Sequence, residues 1–216
     1  MIHDLSQSTS LLSQFVAEIR DVRIQTDRLR FRHNLERIAM IIGYEFSRQM
    51  RYRRERVATP LGLADCMVLE EVPIIGTILR AGLAMHQGLL NLFDRADNAI
   101  ISAYRKHRPD GSFDIELEYV ACPPLDERVL ILCDPMLATG ASIAKTVQAL
   151  LRHGRPREVH LVCAIAARAG VEKVQQEVPW VDIWVAAIDA ELDSNFYIVP
   201  GLGDAGDLAY GQKAQR

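Results

Sequence analysis

The segment Val129–Leu151, VLILCDPMLATGASIAKTVQALL, restricts the fold more than any other part of this 216-residue chain. An apolar run ends near Cys133, and a loop opened by a carboxylate covers Asp134–Gly140. Apolar residues then recur at helical spacing from Ala141. The pattern predicts a buried strand feeding a helix. The free N–H groups of a helix start, with the dipole behind them, suit a phosphate. Thr139 and Ser142 offer hydroxyl donors, and Gly140 permits close backbone approach. Asp134 falls at the carboxyl end of the strand, where open α/β sheets place their ligands. A carboxylate beside a phosphate repels it unless a cation or a sugar hydroxyl intervenes. The loop therefore suits a phosphorylated sugar with Mg2+ nearby. The same residues equally describe a β–α turn in which Asp, Ser and Thr act as caps. GxxxxGK[ST] does not occur, and no GxGxxG lies within this segment.

Strand–helix alternation recurs elsewhere and predicts an α/β fold with a mainly parallel central sheet flanked by helices. Leu11–Arg20 reads as a short helix or an arm, and Phe31–Met50 as a helix buried along Phe31, Leu35, Ile38, Ala39, Ile42 and Phe46. Residues 1–10 read as frayed. Glu71–Thr77 reads as a buried strand, followed by a sharp loop at Leu79–Gly82 and a helix. Ala99–Tyr104 and Phe113–Val120 read as strands joined through Asp110-Gly111, a hairpin that projects as a hood or makes an oligomer contact. Val159–Ile165 and Val181–Ile188 supply further strands, with a helix around Val171–Glu177 between them.

Composition narrows the function. The chain is 49% hydrophobic with a formal net charge of −3, which disfavours a general nucleic-acid binder. No uncharged apolar run approaches the roughly 20 residues of a membrane span. The four cysteines show no CxxC spacing, which fits buried thiols in a reducing, cytoplasmic compartment. The arginines at 48, 51, 53, 54 and 56 form a basic run. Its simplest reading is the solvated end of a helix, and phosphate, nucleotide or RNA binding is the other. Arg80, with the backbone of Ala81 and Gly82, can hold an anion or sit in an ordinary β–α connection. The glycines of YIVPGLGDAGD, 197–207, suit a compact loop that presents backbone donors and acceptors to a flat heterocycle, or a rigid terminal turn.

These motifs together resemble the uracil phosphoribosyltransferase family. DPMLATG at 134–140 is similar to its phosphoribosyl pyrophosphate motif, ILRAGLAM at 78–85 to its diphosphate loop, and AAID with YIVPGLGDAGD to its uracil-recognition region. FR at 31–32 and GYE at 43–45 extend the resemblance into the N-terminal half. The resemblance implies a type I phosphoribosyltransferase fold with a β-hairpin hood. It implies one domain over 1–216, with an N-terminal arm of about 1–30 and the hood at about 99–121. The implied reaction joins uracil to 5-phospho-α-D-ribose 1-diphosphate (PRPP) with Mg2+, giving UMP and diphosphate. Homo-oligomers and, in some members, a GTP effector are implied as well.

By the same resemblance, Arg80, Ala81, Gly82, Arg105 and the run Asp134, Pro135, Met136, Leu137, Ala138, Thr139, Gly140, Ala141 and Ser142 bind PRPP. Ile198, Gly201, Leu202, Gly203, Asp204 and Ala205 bind uracil. Asp134, Arg80, Arg105 and Asp204 carry catalysis, with Asp204 reaching Mg2+ through water. The chain departs from the family's usual residues at Ala141, Ala121, Leu208, the hood sequence after Arg105 and the AARAG loop at 166–170. Arginines at 108, 168 or 51–56 are candidates to compensate. These departures also admit a catalytically weak homologue that acts as a nucleotide-sensing, interaction or RNA-binding regulatory protein.

Overall fold

The computed structural model describes the backbone of residues 1–107 and 113–213, and the side chains of these residues except 103–117. The strands are β1 (Ile2–Asp4), β2 (Tyr52–Thr59), β3 (Gly62–Leu69), β4 (Ile74–Leu79), β5 (Asp97–His107), β6 (Phe113–Ala121), β7 (Val129–Cys133), β8 (Met136–Leu137), β9 (Glu158–Ala167), β10 (Val181–Asp189), β11 (Glu191–Leu192) and β12 (Ile198–Val199). The helices are α1 (Leu11–Arg20), α2 (Arg28–Ser47), α3 (Leu83–Leu90), α4 (Ala141–Leu150), α5 (Arg168–Glu177) and α6 (Ala205–Tyr210). The main sheet runs β1-β10-β9-β7-β4-β5-β6, with short β8 also on β9. Every pair is parallel except β5–β6.

Alternation along the central strands builds a core on each face, because successive side chains of a strand point to opposite sides. Val129, Ile131 and Cys133 pack with α1, α2, α3 and α6, whereas Leu130 and Leu132 pack with α4 and α5. All six apolar residues expected along the second helix are buried there. That helix begins earlier than its pattern suggests, since the Asp27 carboxylate accepts from the Leu29 and Arg30 N–H groups at 3.0 and 3.1 Å. Among the described residues, no helix is long and apolar enough to cross a membrane.

Three sequence expectations need correction. Residues 1–10 are not frayed: β1 pairs with β10, the His3 ring stacks on Trp184 with centroids 3.7 Å apart, and the Met1 amine binds the Asp182 carboxylate. A partner about 180 residues away leaves no local signal. The basic run is not a helix end. It leaves α2 and enters the β2–β3 hairpin, closed by the Pro60-Leu61 turn, and this hairpin forms a separate two-stranded sheet. Arg53 pairs with Glu55 at 2.6 Å and Arg56 with Asp65 at 3.6 Å, so part of that charge is locally balanced. Finally, α5 starts at Arg168, so AARAG is the strand–helix junction itself. The β5–β6 hairpin continues the sheet edge, with a register shift at Ser102/Ala103. The predicted turn at Asp110-Gly111, Arg108 and the Arg105 side chain lie outside the described residues.

Candidate active site

The connections reverse direction at β4. From β4 the chain passes through α3 to β5 on one side, and later β7 pairs on the other. The carboxyl ends of β4 and β7 therefore flank a topological switch point, where open α/β sheets bind ligands. The Arg80–Gly82 and Asp134–Gly140 loops meet there. Gly82 has no room for a side chain: a Cβ would lie 2.4 Å from Thr77 Oγ1 and 2.8 Å from the Cys133 carbonyl oxygen. The Gly82 N–H donates to the Ile78 carbonyl at 3.0 Å, which turns the chain sharply into α3. Arg80 stays exposed; its Nη2 donates to the Asp207 carboxylate and the Gly211 carbonyl, each at 3.1 Å.

Asp134 caps its own loop, its carboxylate accepting from the Met136 N–H at 3.2 Å. The next residues are drawn into the sheet, with Met136 and Leu137 paired to Ile165 and Ala166. Leu137 is core and Met136 is partly so, which leaves the backbone of Pro135–Leu137 as the part of this stretch that can face a ligand. Thr139 Oγ1 accepts from the Ala141 N–H at 3.4 Å, and Gly140 sits left-handed (φ 78°) at the start of α4. Ala141 and Ser142 are half-buried in the first turn, so the Ala141 methyl is accommodated. Gly170 of the AARAG junction supports this loop, because a Cβ there would fall 2.2 Å from the Ala138 carbonyl oxygen.

The third loop follows β10. Ile198 is buried in β12, Gly201 and Leu202 are buried, and Gly203 is exposed. Asp204 caps α6 by accepting from the Asp207 N–H at 2.9 Å, and its other oxygen lies 3.5 Å from the Lys213 ammonium. Leu202, Gly203, Asp204, Asp207 and Leu208 line a cleft of about 510 Å³ with Thr26 and Arg28. None of residues 80–82 or 134–142 lines that cleft, but both are tied to it. Arg80 reaches Asp207 from the β4–α3 turn. From the Asp134–Gly140 loop the link runs through the sheet. Leu137 pairs with Ala166, and Ala167 with Asp189, whose carboxylate accepts from the Gly201 N–H at 3.0 Å.

Several residues of this arrangement escaped sequence reasoning. Arg20 grips the Asp189 carboxylate at 2.7 and 2.8 Å and donates to the Gly201 carbonyl at 3.0 Å. Arg32 donates to the Ala209 carbonyl at 2.7 Å. The acid at the end of β10 is visible in the sequence, but its partner 169 residues earlier is not.

Fold and loops together define a type I phosphoribosyltransferase. A protein of Aquifex aeolicus, AQ2163, superposes with a TM-score of 0.88 at 29% identity, covering 99% of this chain and 100% of that one. The uracil phosphoribosyltransferase family profile matches residues 6–212. A uracil phosphoribosyltransferase of Porphyromonas gingivalis is 50% identical over 214 residues, 99% of each chain. One of Pyrococcus furiosus is 34% identical, over 95% of this chain and 88% of its own. The chain belongs to the uracil phosphoribosyltransferase family.

Proposed function

We propose that this protein transfers the 5-phosphoribosyl group from PRPP to uracil, giving UMP and diphosphate, in the crevice between the three loops. Family membership carries the reaction. The observation that carries the site assignment is the contact of Arg80 with Asp207, which joins the predicted diphosphate loop to the predicted base loop.

The first turn of α4, with Thr139 and Ser142, cradles the 5-phosphate. Asp134 faces the ribose hydroxyls, and Arg80 with the Ala81–Gly82 backbone takes the diphosphate. The β5–β6 hairpin acts as the hood, and the family resemblance assigns Arg105, carried on β5, to the diphosphate. As the bond from C1 to the diphosphate oxygen breaks, positive charge develops on the ribose carbon. Fixed negative oxygens stabilise it while the uracil nitrogen closes on that carbon and releases its N–H proton to solvent. Backbone groups of Ile198 and Leu202–Ala205 read the alternating donors and acceptors of the uracil edge, while Gly201, its N–H on Asp189 and its carbonyl on Arg20, holds the loop in place. Cytosine sets a donor against a donor there, a mismatch costing about 1–3 kcal/mol for each unpaired group.

Among the described residues, no cluster of three or more His, Cys, Asp or Glu forms a protein cage for a metal. The separate carboxylates of Asp134 and Asp204 instead fit Mg2+, which keeps its waters and binds through one or two carboxylates plus substrate phosphates. Asp134 would hold it on the ribose side, and Asp204 would hold it through water. When bound, Mg2+ lowers the charge on the departing diphosphate.

Incubating the purified protein with PRPP, Mg2+ and a panel of free bases tests the assignment. UMP with uracil and no nucleotide with purines is the expected result, and product only with another base rejects it. The exposed side chains of Leu61, Leu63 and Met67 on a hairpin that stands outside the main sheet support a homo-oligomer, since an isolated hairpin is marginal in water. A GTP effector rests on the family resemblance. Sedimentation of the purified protein, and titration of its activity with GTP, test these two features.

A further inference from the structure

The guanidinium of Arg80 has two partners, the carboxylate of Asp207 and the carbonyl of Gly211, both supplied by α6 and the residue after it. The same carboxylate lines the cleft that holds Gly203 and Asp204. The backbone around it is fixed independently of the charge. The Asp207 N–H donates to Asp204 Oδ1 at 2.9 Å, and its carbonyl accepts from the Gly211 N–H at 2.9 Å. A Cβ on Gly206 would come within 3.9 Å of both the Ala81 Cβ and Arg80 Nη2, so the two segments are already in contact. Asp207 thus presents its carboxylate from a fixed backbone to the one arginine of the β4–α3 turn.

We propose that Asp207 is a positioning residue that competes with the diphosphate group for Arg80 and so sets how readily diphosphate leaves. This rests on the reading of Arg80 as a diphosphate ligand. An incoming diphosphate replaces one anionic partner of Arg80 with another, and Asp207 is left facing the like charge of the ligand. That carboxylate weakens the hold on substrate PRPP and product diphosphate alike. When product departs, Arg80 returns to Asp207 without passing through an unpaired state. A counter-ion of this kind trades ground-state affinity for release, which matters wherever product departure limits turnover.

Asp207→Asn tests this, because the amide keeps the side-chain shape and leaves both backbone hydrogen bonds in place. Titration calorimetry of the purified protein with inorganic diphosphate and Mg2+ is expected to show about two- to five-fold tighter binding in the variant, the range of a partly exposed ion pair. The difference is expected to shrink as salt is raised. In steady-state assays the KM for PRPP and kcat both fall, with stronger product inhibition by diphosphate. Asp207→Glu restores the wild-type values. Unchanged or weaker diphosphate binding by a folded Asp207→Asn protein overturns the proposal, while UMP formation by the wild type leaves the functional assignment standing. A wild-type protein that binds no diphosphate overturns both.

Discussion

The chemistry of single side chains divides the site into groups that act on substrate and groups that shape the loops. On the proposed assignment Asp134 belongs to both, since one carboxylate oxygen already accepts from the Met136 N–H. Asn at this position keeps that acceptor and loses only the charge. Asp134→Asn is therefore expected to fold normally and to lower kcat by about 100-fold, the scale of removing one fixed electrostatic contact to a transition state. Unchanged turnover with unchanged melting would sink its role at the ribose. Gly170 is the opposite case, touching no substrate. Gly170→Ala drives a methyl into the Ala138 carbonyl, which must move or displace α5. A loss of about 1–3 kcal/mol is expected from this overpacking, with a raised KM for PRPP. Denaturant melting and initial rates check it. The two residues also differ in legibility: Asp134 stands out at a strand end in the sequence, whereas Gly170 is one glycine in an alanine-rich junction, and its importance lies in a carbonyl 32 positions away.

At the level of elements, the chain's local patterns served well where the partner is also local. The strand–loop–helix from Val129 and the buried stripe of α2 each follow from periodicity alone. Pairings over long sequence separations were not legible. The β1 strand is three residues that gain their meaning only beside β10, and the arginine-rich β2, exposed along nearly its whole length, is a strand only through its pairing with β3. The same limit applies to the proposed base loop. Its glycines are conspicuous, but what holds it is Asp189 at the end of β10, clamped by Arg20 at the end of α1. Asp189 is nearly buried, and a broken buried pair leaves an uncompensated charge. Asp189→Ala is expected to cost about 3 kcal/mol or more and to raise the KM for uracil far more than that for PRPP. Equal effects on both substrates would show that the clamp serves the whole crevice and not the base loop.

Across the whole molecule, buried titrating groups set the pH range of stability. His3, His86 and His160 all have pKa values below the ordinary 6.5, in each case chiefly because burial disfavours the charged ring. Glu158 and Asp182 oppose the shift at His160, and the Asn98 side chain opposes it at His86. An unfolded chain takes up protons at these rings at a higher pH than the folded one does. Stability is therefore fully present above 6.5 and is lost as the pH falls through the histidine range. A second loss follows under more acidic conditions. Glu18, held down to about 2 by hydrogen bonds from Arg30, then Asn34 and Gln14, ties α1 to α2. Its contribution is present above the ordinary 4.5 and fades towards 2. The melting temperature is thus expected to fall in two stages on acidification, the first as the pH drops below 6.5 and the second below 4.5. His86 offers the cleanest single test, because its Nε2 is buried with no hydrogen-bond partner among the described residues. Replacing it with Leu removes one of the three titrating rings without breaking an ion pair. His86→Leu should flatten the first stage, by at most about 1.4 kcal/mol per pH unit for each proton whose uptake is abolished, and leave the second stage unchanged. A variant whose melting still falls as steeply as the wild type over the first stage would place the acid sensitivity at the His3–Trp184–His160 cluster on the β1 side of the sheet.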